Sequence, residues 1–96
     1  MKNYEAMFIV KPDLSEEGKK ELFNQINDAV VKNQGSVSAG SVWAEKRKFL
    51  FPIKKQQEGL YYLLSFSALA SAIGEIKRVY QLNEFILRVL ITAVEG

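Results

Sequence analysis

From Asn3 to Lys11 apolar residues fill both alternating sets, Tyr4, Ala6, Phe8 and Val10 on one and Met7 and Ile9 on the other. Side chains of a strand alternate with period two, so this segment predicts a first strand with apolar contact on both faces. Pro12 and Asp13 break the pattern, Ser15 is a helix-capping residue, and Glu16 and Glu17 suit the first turn of a helix, where the backbone dipole is positive. Leu22, Phe23, Ile26, Ala29 and Val30 then recur at helical spacing up to Gly35, a residue suited to the position just past a helix end. After Gly35, Val37, Ala39, Trp43, Phe49 and Phe51 share one parity, which predicts a long second strand. Gly40 is its candidate bulge, and Pro52 suits a strand end or a sheet edge. Gln56 to Gly59 read as a loop into a third strand from Leu60 to Ser67. Leu69, Ile73, Ile76 and Tyr80 step along a second helix, which Gly74 weakens by about 1 kcal/mol relative to alanine. Leu82 to Phe85 turn the chain into a last strand, Ile86 to Val94.

The order strand, helix, strand, strand, helix, strand is the split βαβ arrangement, and it predicts an α+β, ferredoxin-like domain spanning residues 1–96. Right-handed crossovers put both helices on one face of a four-stranded antiparallel sheet and leave the other face bare. Met7 and Ile9 on the first strand, either Tyr61 and Leu63 or their alternates on the third, and Leu90 on the last then line that bare face. An apolar patch of this kind marks a partner-protein surface.

At 96 residues one domain is expected, and 48% hydrophobic with 25% charged residues is the balance of a chain that folds. No apolar run approaches the roughly 18 residues that span a bilayer, and no signal-peptide core follows Met1, so neither membrane nor export is indicated. There is no Cys and no His, which removes disulfides, thiolate sites, the usual neutral-pH proton shuttle and the commonest metal ligand. No enzymatic activity, metal or cofactor is expected. The formal charge of +2 is unevenly placed: residues 45–55 set Lys46, Arg47, Lys48, Lys54 and Lys55 against Glu45 alone, for +4, leaving eight cations against ten acids, or −2, elsewhere.

Basic residues on a sheet edge deter aggregation and need no ligand. They also bind phosphate when they converge, and the loop between strands two and three offers that convergence at one end of the sheet. Phe49, Phe51, Tyr61 and Tyr62 are candidates for stacking on unpaired bases, but no segment follows the RNP1 pattern, so core or partner contact is the simpler reading. Trp43 reads as a packing residue, and Lys77 with Arg78 as a solvated helix face. Asp13, Glu16, Glu17, Glu21 and Asp28 serve capping and solvation of the first helix; their spacing matches no cation-binding loop.

The chain resembles the small-subunit ribosomal protein S6 family of bacteria and organelles. The resemblance rests on "MKNYEAMFIVKPDLSEE" at the start, on "KRKFLFPIKK", which is similar to the family pattern G-x-K/R-x-L-A-Y-P-I-x-K, and on "LNEFILRVLIT" near the end. Departures are Glu45 where the family usually has glycine, Phe49 and Leu50 for Leu and Ala, and Phe51 for Tyr. The resemblance implies the ferredoxin-like fold, binding to rRNA in the central platform of the small subunit, and a heterodimer with ribosomal protein S18. It also implies a cytoplasmic location on the ribosome and rRNA-contacting roles for Lys2 and Arg88, besides Arg47 and Lys54 of the basic segment.

The expected function is therefore that of a structural rRNA-binding protein. The expected rRNA contacts are Lys2, Lys46, Arg47, Lys48, Lys54, Lys55 and Arg88, and the expected partner-protein surface is Met7, Ile9, Tyr61, Leu63 and Leu90. The alternative is a ferredoxin-like homodimer holding a small molecule between bare sheets.

Overall fold

The computed structural model describes residues 1–94. β1 (Lys2–Val10), α1 (Glu16–Lys32), β2 (Ser36–Ile53), β3 (Gln56–Ala68), α2 (Ile73–Gln81) and β4 (Ile86–Val94) follow one another, with a 3₁₀ turn at Ala70–Ala72 leading into α2. The sheet order is β2-β3-β1-β4 and every pairing is antiparallel. This is the expected ferredoxin-like topology, with β2 and β4 as its two edges.

α1 starts where the sequence places its signals: the Ser15 hydroxyl accepts from the Gly18 N–H at 3.0 Å, and Glu16 and Glu17 lie in the first turn. Its end differs. Gln34, not Gly35, takes the left-handed conformation, with φ 62°, while the Gly35 N–H closes back on the Val30 carbonyl at 2.8 Å. Leu22, Ile26, Ala29 and Val30 of α1 and Ile76 and Tyr80 of α2 pack on the even residues of β1 and β3, from Tyr4 to Val10 and from Leu60 to Ala68. The Tyr80 hydroxyl donates to the Ile26 carbonyl at 2.7 Å and ties the two helices together inside this layer.

Two expectations for the central hairpin are corrected. Gln56 to Gly59 belong to β3 rather than to a loop, and the connection is only Lys54 and Lys55, closing the Ile53↔Gln56 pair. The single parity expected along β2 also fails, because the register shifts between Val37 and Ala39, between Val42 and Ala44, between Ala44 and Arg47 and again between Lys48 and Ile53. Val37 consequently packs against the core, while Ala39 sits opposite Ser65 on the bare face. Gly40 lies between the first two of these irregularities, paired with Leu64, and a Cβ there would collide with the Tyr62 hydroxyl. Close packing, rather than bulge geometry, requires a glycine at this position.

Candidate nucleic-acid and partner interface

The register settles which residues share the bare face. Met7 pairs with both Leu63 and Leu90, and Ile9 with Tyr61 and Arg88, so all five expected partner-surface residues stand side by side, with Arg88 among them. Their alternates Leu60, Tyr62 and Leu64 are buried beneath the helices. Tyr62 is stacked on Phe23 at 4.1 Å inside that layer, which removes it as a platform for bases.

The bare face is graded along its strands. Toward Lys2 it carries Asn3, Glu5, Ser65, Ser67 and Thr92. Toward the hairpin it becomes apolar and aromatic: Trp43 and Phe49 both meet the Tyr61 ring edge-on, at 6.2 and 6.3 Å between centroids. Gly59 makes this packing possible, because a Cβ there would lie 2.7 Å from Phe49 and 2.8 Å from Ile9. Ile9 is therefore buried even on the uncovered side of the sheet, whereas Trp43 and Leu90 stay 60% and 61% exposed. The Arg47 guanidinium sits 5.7 Å from the Trp43 and Tyr61 ring centroids, a cation–π arrangement that seats it on the aromatic surface. The sequence reading takes Trp43 as a packing residue and Phe49 as core or partner contact without assigning either to this face; the register shift between Val37 and Ala39 turns their parity away from the core that Val37 meets.

The remaining cations do not form one patch. Lys2 pairs with Ala68 at the far end of β1, about 26 Å along the strand from Val10. Lys46 and Lys48 are exposed on the edge strand, on the parity opposite Arg47. The hairpin beyond Leu60 has outrun β1, and its tip arches across the end of the sheet: Lys54 Nζ reaches the Ile86 carbonyl at 3.5 Å, on the opposite edge from its own strand. Lys55 is exposed beside it. Among the described residues the two ion pairs are Lys19 with Glu16 and Arg78 with Glu75, so the hairpin cations and Arg88 stand outside any salt bridge, although Glu58 of β3 lies directly opposite Lys48. The Arg78 fork on Glu75, at 2.6 and 2.9 Å, holds that carboxyl below its ordinary range.

No group of acidic side chains among the described residues is disposed to hold a metal ion, and no helix is long and apolar enough to cross a membrane. Fold and surface together define a small ferredoxin-like domain whose bare sheet face, apolar at one end, is rimmed by cations that form no salt bridge. The model of the family described as Ribosomal protein S6 matches residues 3–93, and the chain belongs to that family. The small ribosomal subunit protein bS6 of Halalkalibacterium halodurans is 39% identical over 95 residues, covering 99% of both chains. That of Caldanaerobacter subterraneus subsp. tengcongensis is 36% identical over 91 residues, covering 95% of each. Among solved structures, the crystal structure of 30S ribosomal protein S6 from Thermotoga maritima superposes with a TM-score of 0.87 at 26% identity, covering 97% of this chain and 87% of that one.

Proposed function

We propose that this chain is a structural, non-catalytic component of the small ribosomal subunit in the cytoplasm, whose residues 1–96 act as one rRNA-binding domain. It binds rRNA of the central platform through Arg47, Lys54, Lys55 and Arg88, with Lys46 and Lys48 contributing from the edge strand and Lys2 from the distal end. The apolar half of the bare face, Met7, Ile9, Tyr61, Leu63 and Leu90, receives a second protein, ribosomal protein S18. The observation that carries this reading is the juxtaposition of an exposed aromatic sheet surface with cations, Arg47, Lys54, Lys55 and Arg88, that stand outside any salt bridge, in a chain of the ribosomal protein S6 family. Phosphate contacts fix position on RNA and carry little sequence information directly, so no base-reading residues are assigned.

The test is binding of the chain to S18 and to a central-domain rRNA fragment, separately and together, at 50 and 200 mM salt. Four phosphate contacts lower affinity roughly a hundredfold over that range. Replacing Arg47, Lys54 and Lys55 by glutamine should leave the fold intact and flatten the salt dependence. A slope unchanged by the triple replacement would remove these residues from the RNA interface.

A further inference from the structure

The arching hairpin creates a site that its own cations do not complete alone. At the β4 edge a surface pocket of about 330 Å³ is lined by Lys54 from the hairpin tip, Lys77 and Gln81 from α2, and Arg88 from β4, over a floor that includes Ile86 and Val89. Lys77 and Gln81 are four residues apart and so project from the same side of α2, whose orientation is set by the buried Ile76 and Tyr80. Arg88 reaches this edge at a register shift: Val10 pairs with Ile86 and Ile9 with Arg88, leaving Leu87 between them. Three cations from three elements and one carboxamide line the pocket, and no carboxylate does.

The backbone of the tip points the same way. Lys54 and Lys55 have φ 46° and 68°, so both central residues of this two-residue turn are left-handed. Such turns favour Asn-Gly, and lysine at both positions keeps a strain that those residues would relieve. The conformation is the one that carries Lys54 Nζ to within 3.5 Å of the Ile86 carbonyl, at the pocket wall.

We infer that Lys54, Lys77, Arg88 and Gln81 form a binding pocket for a phosphoryl group, which makes α2 part of the polyanion-binding surface. Ammonium and guanidinium donors with no acidic neighbour are the chemistry that takes up several anionic oxygens at once. The inference rests on the proposed rRNA role for the source of that phosphate, the RNA backbone, while free phosphate compounds offer the same group.

Two arms separate the sources. In the first, the ¹⁵N-labelled full chain is titrated with inorganic pyrophosphate, and the amides of Gln81, Leu87 and Arg88 should shift, in the unmodified chain but not in Lys77→Gln. Lys20→Gln, which removes a charge from α1, should respond as the unmodified chain does. In the second, the log–log salt slope of rRNA-fragment binding in the presence of S18 should fall in magnitude by about 0.7 to 0.9 in Lys77→Gln, one phosphate contact, and stay unchanged in Lys20→Gln. The double replacement Lys54→Asn, Lys55→Gly supplies an independent sign: Tm should rise by several degrees as the turn relaxes while pyrophosphate affinity falls. Absence of pyrophosphate shifts at the pocket amides overturns the proposal. Shifts at the pocket with an unaltered RNA slope keep the pocket and overturn RNA as its occupant. Failure of the unmodified chain to bind rRNA even with S18 sinks the ribosomal reading alone and leaves pyrophosphate to decide the pocket.

Discussion

Tyr80 shows how much one side chain carries in this fold. Its ring meets Phe8 edge-on at 4.8 Å, only 1% of its surface is exposed, and its hydroxyl bridges to the α1 backbone. Burial pushes its pKa far up, with the neighbouring Tyr62 adding to the rise, and burial raises Tyr62 as well. The unfolded chain ionises Tyr62 and Tyr80 near pH 10, before the folded one does, so above that pH the unfolded state binds fewer protons and stability falls as pH rises. With no histidine in the chain, no side chain of ordinary pKa near 6.5 titrates between pH 6 and 8. Urea unfolding across pH 7 to 11.5 should therefore show a stability that drops only beyond about pH 10, with up to about 1.4 kcal/mol per pH unit from each raised tyrosine. Tyr80→Phe should cost about 0.5 to 1.5 kcal/mol at pH 7 and make the alkaline decline shallower. An equally steep decline in that variant would mean that the shift at Tyr80 does not couple to folding. Gln34 carries the opposite sign: its left-handed backbone is strained without glycine, so Gln34→Gly should raise stability by roughly 0.5 to 1 kcal/mol, read as a higher urea midpoint at constant slope.

Among the elements, β1 and α1 were legible because their periodicities are unbroken and their boundaries carry local signals, Ser15 at the start of α1 and Pro12 after β1, while β3 was legible from Leu60 on and β4 despite the irregularity at Leu87. β2 was legible as a strand but not as a face. Register shifts near Ser38, near Trp43, between Ala44 and Arg47 and again beyond Lys48 change which parity faces the core, and period-two reading has no means of seeing an inserted residue. The hairpin turn was hidden for a different reason: Lys54-Lys55 lacks the Gly or Asn that announces a two-residue turn, so the loop was placed at the nearest glycine, Gly59, where the structure has a paired strand residue. That glycine leaves room for both Phe49 and Ile9, and Gly59→Ala should overpack the hairpin base, costing about 1 to 3 kcal/mol. A smaller loss, with the Phe49 and Tyr61 ring signals unmoved in NMR spectra, would show that Phe49 yields easily and that the aromatic surface is loosely held. The cations were legible as a charge run, but the split into Arg47 on the bare face, Lys54 at the β4 edge and Lys2 at the far end follows from the arch of the hairpin, a long-range feature. The helical spacing of Lys77 and Arg78 reads only as a solvated face, since the partners of Lys77 in the pocket, Lys54 of the hairpin turn and Arg88 of β4, come from segments outside α2.

At the scale of the molecule, the two kinds of surface should differ in their sensitivity to salt, and the single tryptophan makes this measurable. Trp43 stands on the bare face beside Tyr61 and Arg47, 60% exposed, so its emission reports on whatever covers that face. A protein docking there buries apolar area, an interaction that ionic strength changes little, whereas cation–phosphate contacts weaken steeply with salt. Adding S18 alone should therefore shift Trp43 emission to the blue and protect it from acrylamide quenching to a similar degree at 50 and 200 mM salt. Adding the rRNA fragment to the preformed protein pair should change the emission little, while its own binding, followed by mobility or a labelled RNA end, falls with salt. If RNA alone shields Trp43 as fully as S18 does, the bare face belongs to the nucleic acid and the division of labour proposed here is wrong. If shielding instead grows with the concentration of the pure chain, two copies are meeting face to face, and the homodimeric ligand-binding arrangement becomes the better account of the same apolar surface. Sedimentation at the same concentrations separates that outcome from nonspecific association, since face-to-face pairing stops at the dimer.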